Sequence, residues 1–310
     1  MILLIILGIL AGLCVPLQTS INTKLGSYTK SPILASFYSF LIGTIVLIIV
    51  NTIMNPQKLT PSFIMNQDFS YVWFTGGLLG VVFLTGNLLL LPRIGAALTV
   101  VMTVSGQIIM GLIIDQFGLF DADIHTINIG RISGVILMLL GILLMNYKKK
   151  SSRVITTQSN HTNYWMILGI MTGCLPPIQT AINSALRYEV DSFYFSALIS
   201  FAVGTIALFF LSLILVRRIR FSFHQPEQGT IKPIYFIGGA LGVVFVTTNI
   251  LLMPELGAAL TLMVVIFGQM LMGLLIDHFG LFNTPKFKIT TRRLIGAILV
   301  FVGIVILKLF

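Results

Sequence analysis

The chain has 310 residues, 56% of them drawn from Ala, Val, Ile, Leu, Met, Phe, Trp, Tyr and Cys and only 9% charged. Soluble domains carry about 25% charged residues, so an ordinary soluble fold is excluded. The net charge of +10 would suit nucleic acid only if the basic residues gathered on one soluble face; they lie instead in the connections between apolar runs.

Those runs recur at roughly 20 residues, the length that crosses a bilayer core of about 30 Å. They predict membrane helices over 2–22, 32–53, 71–91, 94–115 and 129–147, then 164–186, 192–216, 232–253, 256–276 and 292–310. The first has no basic stretch before it and no small-residue cleavage site, and it recurs inside the chain, so it is expected to be retained and not removed as a signal peptide. Cys14 and Cys174 fall within spans without metal-ligand spacing or a partner His, and packed, reduced thiols are expected. No Gly-rich phosphate loop, Ser/His/Asp arrangement or Cys/His cluster occurs in the sequence. The expectation is therefore of no enzyme, no cofactor, no metal and no ATP-driven step.

The odd-numbered connections hold 15 of the 19 Lys and Arg, among them Lys24, Lys30, Arg93, Lys148, Arg153, Arg217 and Arg293; Lys58, Arg131, Arg187 and Lys308 lie on the other side. Cytoplasmic loops retain Lys and Arg. This split puts the odd connections inside and both termini outside a cytoplasmic membrane.

The chain repeats itself. PLQTSIN (16–22) returns as PIQTAIN (177–183) and SFLIGT (39–44) as SFAVGT (200–205), at an offset of 161. At an offset of 162, GGLLGVVFLTGNLLLLP (76–92) returns as GGALGVVFVTTNILLMP (238–254), GAALT (95–99) as GAALT (257–261), and GQIIMGLIIDQFGLF (106–120) as GQMLMGLLIDHFGLF (268–282); Arg131 and Gly134 return as Arg293 and Gly296. Each copy carries five spans, and an odd number makes the second copy enter the bilayer from the opposite side. The expected architecture is all-α: ten transmembrane helices as two antiparallel, inverted-topology repeats, 1–147 and 164–310, joined by a polar, basic cytoplasmic linker at 148–163. Inverted repeats are a recurrent construction of secondary transporters, with the site near the midplane between the repeats.

These motifs together, P-x-Q-x-x-x-N in the first span of each half, GG-x-x-G, the LP or MP end followed by GAALT, and GQ…IDxFGLF, resemble the YdcZ-type family of inner-membrane exporters within the drug/metabolite transporter superfamily. The resemblance covers nearly the whole chain in two copies. It implies ten helices in two five-helix bundles around a central cavity, some members being unfused five-helix subunits that pair antiparallel, and it implies export.

Inside hydrocarbon every polar side chain needs a partner, so polar residues away from span ends are the informative ones. Gln18 and Asn22 share one helix face, as do Gln179 and Asn183, and Pro16 and Pro177 just before them each free a backbone carbonyl one turn earlier. Two readings stand: amides lining a cavity beside a local helix break, or amides bonding neighbouring helices. Thr99, Thr103 and Gln107 form a stripe whose copy reads Thr261, Val265 and Gln269; the Thr103/Val265 difference is either a selectivity feature or drift. Asn87 and Asn249 complete the amide set. The glycines Gly76, Gly77 and Gly80, with Gly238, Gly239 and Gly242, are expected to permit close helix approach. Asp115 and Asp277, close to span ends, are either proton-coupling sites or helix-end caps before the FGLF turns.

A cavity of amides and hydroxyls without a central carboxylate suits a polar neutral, zwitterionic or weakly charged solute, or a quaternary amine held on aromatic faces. The expectation is a secondary transporter working by alternating access in a bacterial inner membrane, as monomer or homodimer, with a small solute, possible protons and lipids as partners. A channel for a small ion or neutral solute is the alternative.

Overall fold

The computed structural model describes residues 1–67, 69–146, 162–215, 224–225, 229–281 and 289–309. The helices are α1 (Ile2–Thr29), α2 (Pro32–Met54), α3 (Pro61–Met65), α4 (Val72–Phe117), α5 (Ile129–Asn146), α6 (Thr162–Gly173), α7 (Leu175–Val190), α8 (Phe193–Leu215), α9 (Gly238–Leu256), α10 (Ala258–Phe279) and α11 (Thr291–Leu309). His224–Gln225 and Gly229–Thr230 form a two-rung antiparallel ladder. Most of the expected linker, and the basic residues Arg217, Arg218, Arg220, Lys286 and Lys288, lie outside the described residues.

Seven stretches among the described residues are long and apolar enough to cross a membrane: Ile2–Thr29, Pro32–Met54, Thr99–Phe117, Asn163–Val190, Phe193–Leu215, Pro233–Leu256 and Ala258–Ile276. Val72–Asn87 and Ile129–Met145 are shorter apolar helices. Their outward faces are bare hydrocarbon, as with Ile48, Ile49 and Ile53 on α2 or Phe210 and Ile214 on α8. Such surface is stable only against lipid. Apart from that short ladder the regular structure of the described residues is helical, and the chain is an integral membrane protein.

The ends of the first two helices of each half have the same local cause. Lys30 and Asp191 adopt left-handed backbone at φ 52° and 47°, and the next residue caps the following helix: Ser31 Oγ accepts from Leu34 N at 3.4 Å and Ser192 Oγ from Phe195 N at 3.2 Å. Gly118 (φ 59°) and Gly280 (φ 64°) end α4 and α10 in the left-handed conformation that glycine adopts without strain.

α4 is assigned as one helix of 46 residues. Straight, it would reach roughly 69 Å, over twice a bilayer core. It is not straight: methyl groups added at Gly86 and Gly106 would meet Thr172 at 3.0 Å and the Ile170 carbonyl at 2.1 Å, within one turn of α6. The axis therefore reverses between them, in the stretch that holds Pro92 and Gly95, and α4 supplies two limbs. Its counterparts α9 and α10 reverse across Gly257, at φ 77°. The expected sixth span is likewise two pieces, α6 and α7, parted at Cys174 just before Pro176 and Pro177, where two successive residues lack a backbone donor. In α1 the equivalent Pro16 is absorbed within one helix.

Equivalent helices of the two halves pair antiparallel. Between α2 and α8, Asn51 Nδ2 donates to the Tyr194 carbonyl at 3.1 Å, Asn55 Nδ2 to Ser192 Oγ at 3.3 Å, and Phe37 lies 6.0 Å from Phe209. At the crossing, residues equivalent by the 161 offset meet directly: Thr44 Oγ1 and Thr205 Oγ1 at 2.8 Å, and the Phe40 and Phe201 rings at 5.2 Å. Between α5 and α11, a methyl added at Gly134 would lie 2.8 Å from the Gly303 carbonyl, and one at Gly141 2.6 Å from the Gly296 carbonyl. Small residues let these backbones approach, which is how helices bind in lipid.

Contacts at the helix ends also sort. Tyr28, ending α1, lies 5.8 Å from Tyr235 before α9, and the Arg93 guanidinium 4.5 Å from the Trp165 ring at the start of α6. Lys58 donates to the carbonyls of Val190 and Asp191, and Phe63 lies 5.7 Å from Phe195. Each contact joins two odd connections or two even ones.

Candidate functional site

The Pro-x-Gln-x-x-x-Asn segments meet the opposite half. In α1, Gln18 Nε2 and Asn22 Nδ2 both donate to Ser39 Oγ on α2, at 3.4 and 3.1 Å. Their far sides press on α9: a methyl at Gly238 would come within 2.3 Å of Asn22 Oδ1, and one at Gly242 within 2.6 Å of Gln18 Nε2. The second half repeats the cluster. Gln179 Nε2 donates to Ser200 Oγ at 3.3 Å, a methyl at Gly80 would lie 2.7 Å from Gln179 Nε2, and one at Gly76 2.5 Å from Asn183 Oδ1. Each copy's amides thus fit the Gly-Gly-x-x-Gly groove of the other copy, and only glycine leaves room for them.

These amides are not fully bonded. Asn22 Oδ1, both side-chain polar atoms of Asn183, Asn249 Oδ1, Thr85 Oγ1 and Thr261 Oγ1 are buried without a hydrogen-bond partner. Leaving such a group unpaired costs about 1–3 kcal/mol, and native structures hold few of them. Gln18, Gln179, Asn87 and Gln269 are half-buried, whereas Asn22, Asn183, Asn249 and Thr261 are buried.

The threonine stripe is engaged differently. Thr99, Thr103 and Gln107 are 5%, 5% and 4% exposed, and Thr103 Oγ1 donates back to the Thr99 carbonyl at 2.9 Å. A methyl at Gly173 would lie 2.1 Å from the Thr103 carbonyl; one at Gly12 would lie 2.1 Å from that of Val265. Exchanging Thr for Val therefore leaves the backbone contact alike in the two halves. The structure draws Gln18 with Asn22 and Gln179 with Asn183 into two matched clusters, while Thr99, Thr103 and Gln107 follow the α4–α6 crossing.

Asp115 is wholly buried. Oδ2 takes a hydrogen bond from Arg131 Nη2 at 2.6 Å and from Ala259 N at 3.2 Å, and Oδ1 takes one from Ala258 N at 2.7 Å. It lies in the last turns of α4 yet caps the first turn of α10, where backbone N–H groups lack helical partners. The Asp277 side chain lies outside the described residues.

Three residues that sequence reasoning did not single out hold these groups, and a fourth, Arg187, holds α9. Ser39 and Ser200 stood in the repeated SF-x-x-GT segment, so the repeat carried their signal. Arg131 counts by sequence among the charges of the even connections, yet it is buried against Asp115. Arg187 donates to the carbonyls of Ile250 and Leu251 at 3.3 and 3.4 Å; Ile250 lies four residues before Pro254, whose missing N–H leaves that carbonyl without its helical partner. Among the described residues no group of His, Cys, Asp and Glu could hold a metal ion.

No curated protein matches this sequence. Among solved structures, one described as "Crystal structure of protein" is similar over 99% of this chain and 96% of its own, at a TM-score of 0.63 and 17% identity. At that identity the likeness shows the fold alone. The family described as "Putative inner membrane exporter, YdcZ" matches residues 3–144 and again 164–306. Two matches in tandem take in nearly all of the sequence, and the chain belongs to this YdcZ family in a two-repeat form.

Proposed function

We propose that the chain is a secondary transporter that moves a small polar or weakly charged organic solute out across a bacterial inner membrane by alternating access. The reciprocal packing carries this reading: each half's Gln and Asn seat in the other half's glycine groove, with buried amide atoms left unpaired. Two near-equal halves that grip one another through the same residues can exchange roles, which alternating access requires. The unpaired donors and acceptors of Asn22, Asn183, Asn249 and Thr261 suit a neutral, hydrogen-bonding or zwitterionic solute, with Gln18, Asn87, Thr99, Thr103, Gln107, Gln179 and Gln269 around them.

The topology follows the same reading. Counting the two limbs of α4 separately and α6 with α7 as one, the chain has ten spans, in repeats 1–147 and 164–310 of opposite orientation. The antiparallel pairing of α2 with α8 and α5 with α11 supports inversion, and the sorting of odd from even connections supports a common side for each set. Both termini then lie outside.

A thermal-shift screen of purified protein against metabolites identifies the solute, since a ligand stabilises by RT ln(1 + [L]/Kd). Saturable flux of that solute in proteoliposomes is expected; unitary currents in a planar bilayer would instead establish a channel. An imposed pH gradient tests coupling through Asp115 and Asp277. Gradient-driven uptake that vanishes in Asp115→Asn or Asp277→Asn while exchange persists supports proton antiport, and flux indifferent to the gradient in the parent excludes it.

A further inference from the structure

We propose that Asp115 is the latch that shuts the outer end of the transport path, tying the first half to the N-terminus of α10 in the second. The inference rests on the alternating-access reading and adds to it the contact that must give way when the path opens outward.

Several elements converge on this carboxylate. Beyond Arg131 Nη2 and the amides of Ala258 and Ala259, the backbone beside it is tied down: His125 N donates to the Asp115 carbonyl at 2.9 Å, and Arg131 Nη1 donates to the His125 carbonyl. The turn that starts α10 is glycine, and a methyl at Gly257 would collide with His125 Cδ2 at 2.9 Å. The end of α4, the segment before α5, and the α9–α10 turn are thus fastened at one point.

Different surroundings lie on its two sides. Outward is a cavity of about 480 Å³, lined in part by His125, Thr126, Arg131, Glu255 and Leu260. Inward on α10, one turn past Ala258, the Thr261 hydroxyl is buried without a hydrogen-bond partner. On the facing helix, a methyl at Gly111 would lie 3.3 Å from Ala259 Cα, so the two backbones close the gap beneath the latch. Parting them joins the outer cavity to the buried polar residues.

The bonds divide by half. Arg131 belongs with Asp115 in the first half and can stay paired with it as the halves move, whereas the Ala258 and Ala259 amides belong to the second and must separate. Opening therefore never strands a charge, which in a low-dielectric interior is the costly event. Water entering from the outer cavity can take over both the amides and the vacated carboxylate lone pairs. A carboxylate at a helix N-terminus makes strong, directional bonds with the closed state favoured, and they re-form when the halves return. A salt bridge confined to one half would have no such dependence on state.

The test uses the full chain with Cys14→Ala and Cys174→Ala, carrying a single reporter at Thr261→Cys below the latch or Thr126→Cys, exposed in the outer cavity. Right-side-out vesicles are treated with a membrane-impermeant maleimide. Asp115→Asn is expected to raise the labelling rate at 261 by about tenfold or more, within the usual range of a coupling between sites, and that at 126 by less than about twofold. Should the single variant fail to fold with Arg131 uncompensated, Asp115→Asn with Arg131→Gln removes both charges, keeps hydrogen-bonding side chains, and is expected to give the same pattern in monodisperse protein. Unchanged labelling at 261 in folded variants overturns the latch, as do parallel rises at 126 and 261, which mean general loosening, or acceleration at 261 only in inverted vesicles. Flux is measured separately on the unaltered chain. Flux with unchanged labelling rejects the latch alone, and latch behaviour without flux rejects the transport reading alone.

Discussion

Replacing Gly77 or Gly239 by alanine probes the grip between the halves at two close backbone contacts. A methyl on Gly77 would lie 2.4 Å from the Ser200 carbonyl and 3.0 Å from the Gly204 nitrogen; on Gly239 it would lie 2.2 Å from the Ser39 carbonyl and 2.7 Å from the Gly43 nitrogen. Both obstacles are backbone, which cannot swing aside, so the helices must part. Alanine in a helix gains about 0.5–1 kcal/mol over glycine, while overpacking costs about 1–3 kcal/mol, leaving each variant about 0–2.5 kcal/mol less stable, with the mid-range at about 1 kcal/mol. Gly273 in α10 is the internal control, since an added methyl there meets nothing within 4 Å. Gly273→Ala keeps the propensity gain and is expected to be neutral or stabilised. Reversible unfolding in mixed micelles, followed by tryptophan fluorescence, ranks the three. If Gly273→Ala proved as damaging as the other two, steric fit would not be the cause. If Gly77→Ala and Gly239→Ala had effects of opposite sign, the two grips would not be equivalent.

Reporters fused to either end, active only in the cytoplasm, are expected to stay silent in cells, and strong activity at both ends reverses the assigned orientation. Gln18→Ala and Gln179→Ala are each expected to lower solute flux by roughly threefold or more, taking an amide contact in lipid at about 0.6 kcal/mol, with membrane insertion intact by quantitative blotting; normal flux in both assigns the amides to packing. Arg187→Ala removes a donor from the Ile250 carbonyl and is expected to cost about 1 kcal/mol in the same micellar unfolding. Arg187→Lys should recover part of that loss, and an Arg187→Ala variant as stable as the parent would show that Ser184, 3.5 Å from the same oxygen, suffices.

The internal repeat made the partners of Gln18 and Asn22 findable in principle, because whatever touches them must have a copy that touches Gln179 and Asn183. The two glycine grooves meet that condition, and Ser39 and Ser200 meet it for the glutamines, Ser39 bonding Asn22 as well. Which residues face inward was much less legible. In water an apolar stripe marks the buried face, but in lipid the outer face is equally apolar. On α2, Leu47 is fully buried while its neighbours Ile48 and Ile49 are 45% and 54% exposed, and hydropathy does not separate them. Only glycines and small polar residues mark the packed faces, as in α5 and α11, where Gly134, Gly141, Gly296 and Gly303 define the crossing. Helix ends were also misjudged, because the length of an apolar run measures the hydrocarbon and not the helix. The first span was expected to stop at 22, but α1 continues to Thr29, carrying Lys24 and Tyr28 beyond the apolar run.

The pairing of Asp115 with Arg131 shows how a signal can be present and go unused. The two are 16 positions apart, and Asp277 stands 16 before Arg293, so the acid and the base recur together in both copies. Spacing alone could not reveal the contact, since a glycine-ended helix, a turn and a loop intervene and set the geometry. The Ala258 and Ala259 amides, more than 140 positions away, had no local signature at all. Counting Arg131 as an exposed charge had a cost elsewhere, because the positive-inside rule concerns charges that must be held in a loop at the membrane surface. A guanidinium buried against a carboxylate at 2.6 Å is compensated within the protein and has no bearing on orientation. Without it the even connections and the C-terminal end retain Lys58, Arg187 and Lys308 against 15 in the odd connections, so the buried pair sharpens the charge asymmetry on which the proposed orientation rests.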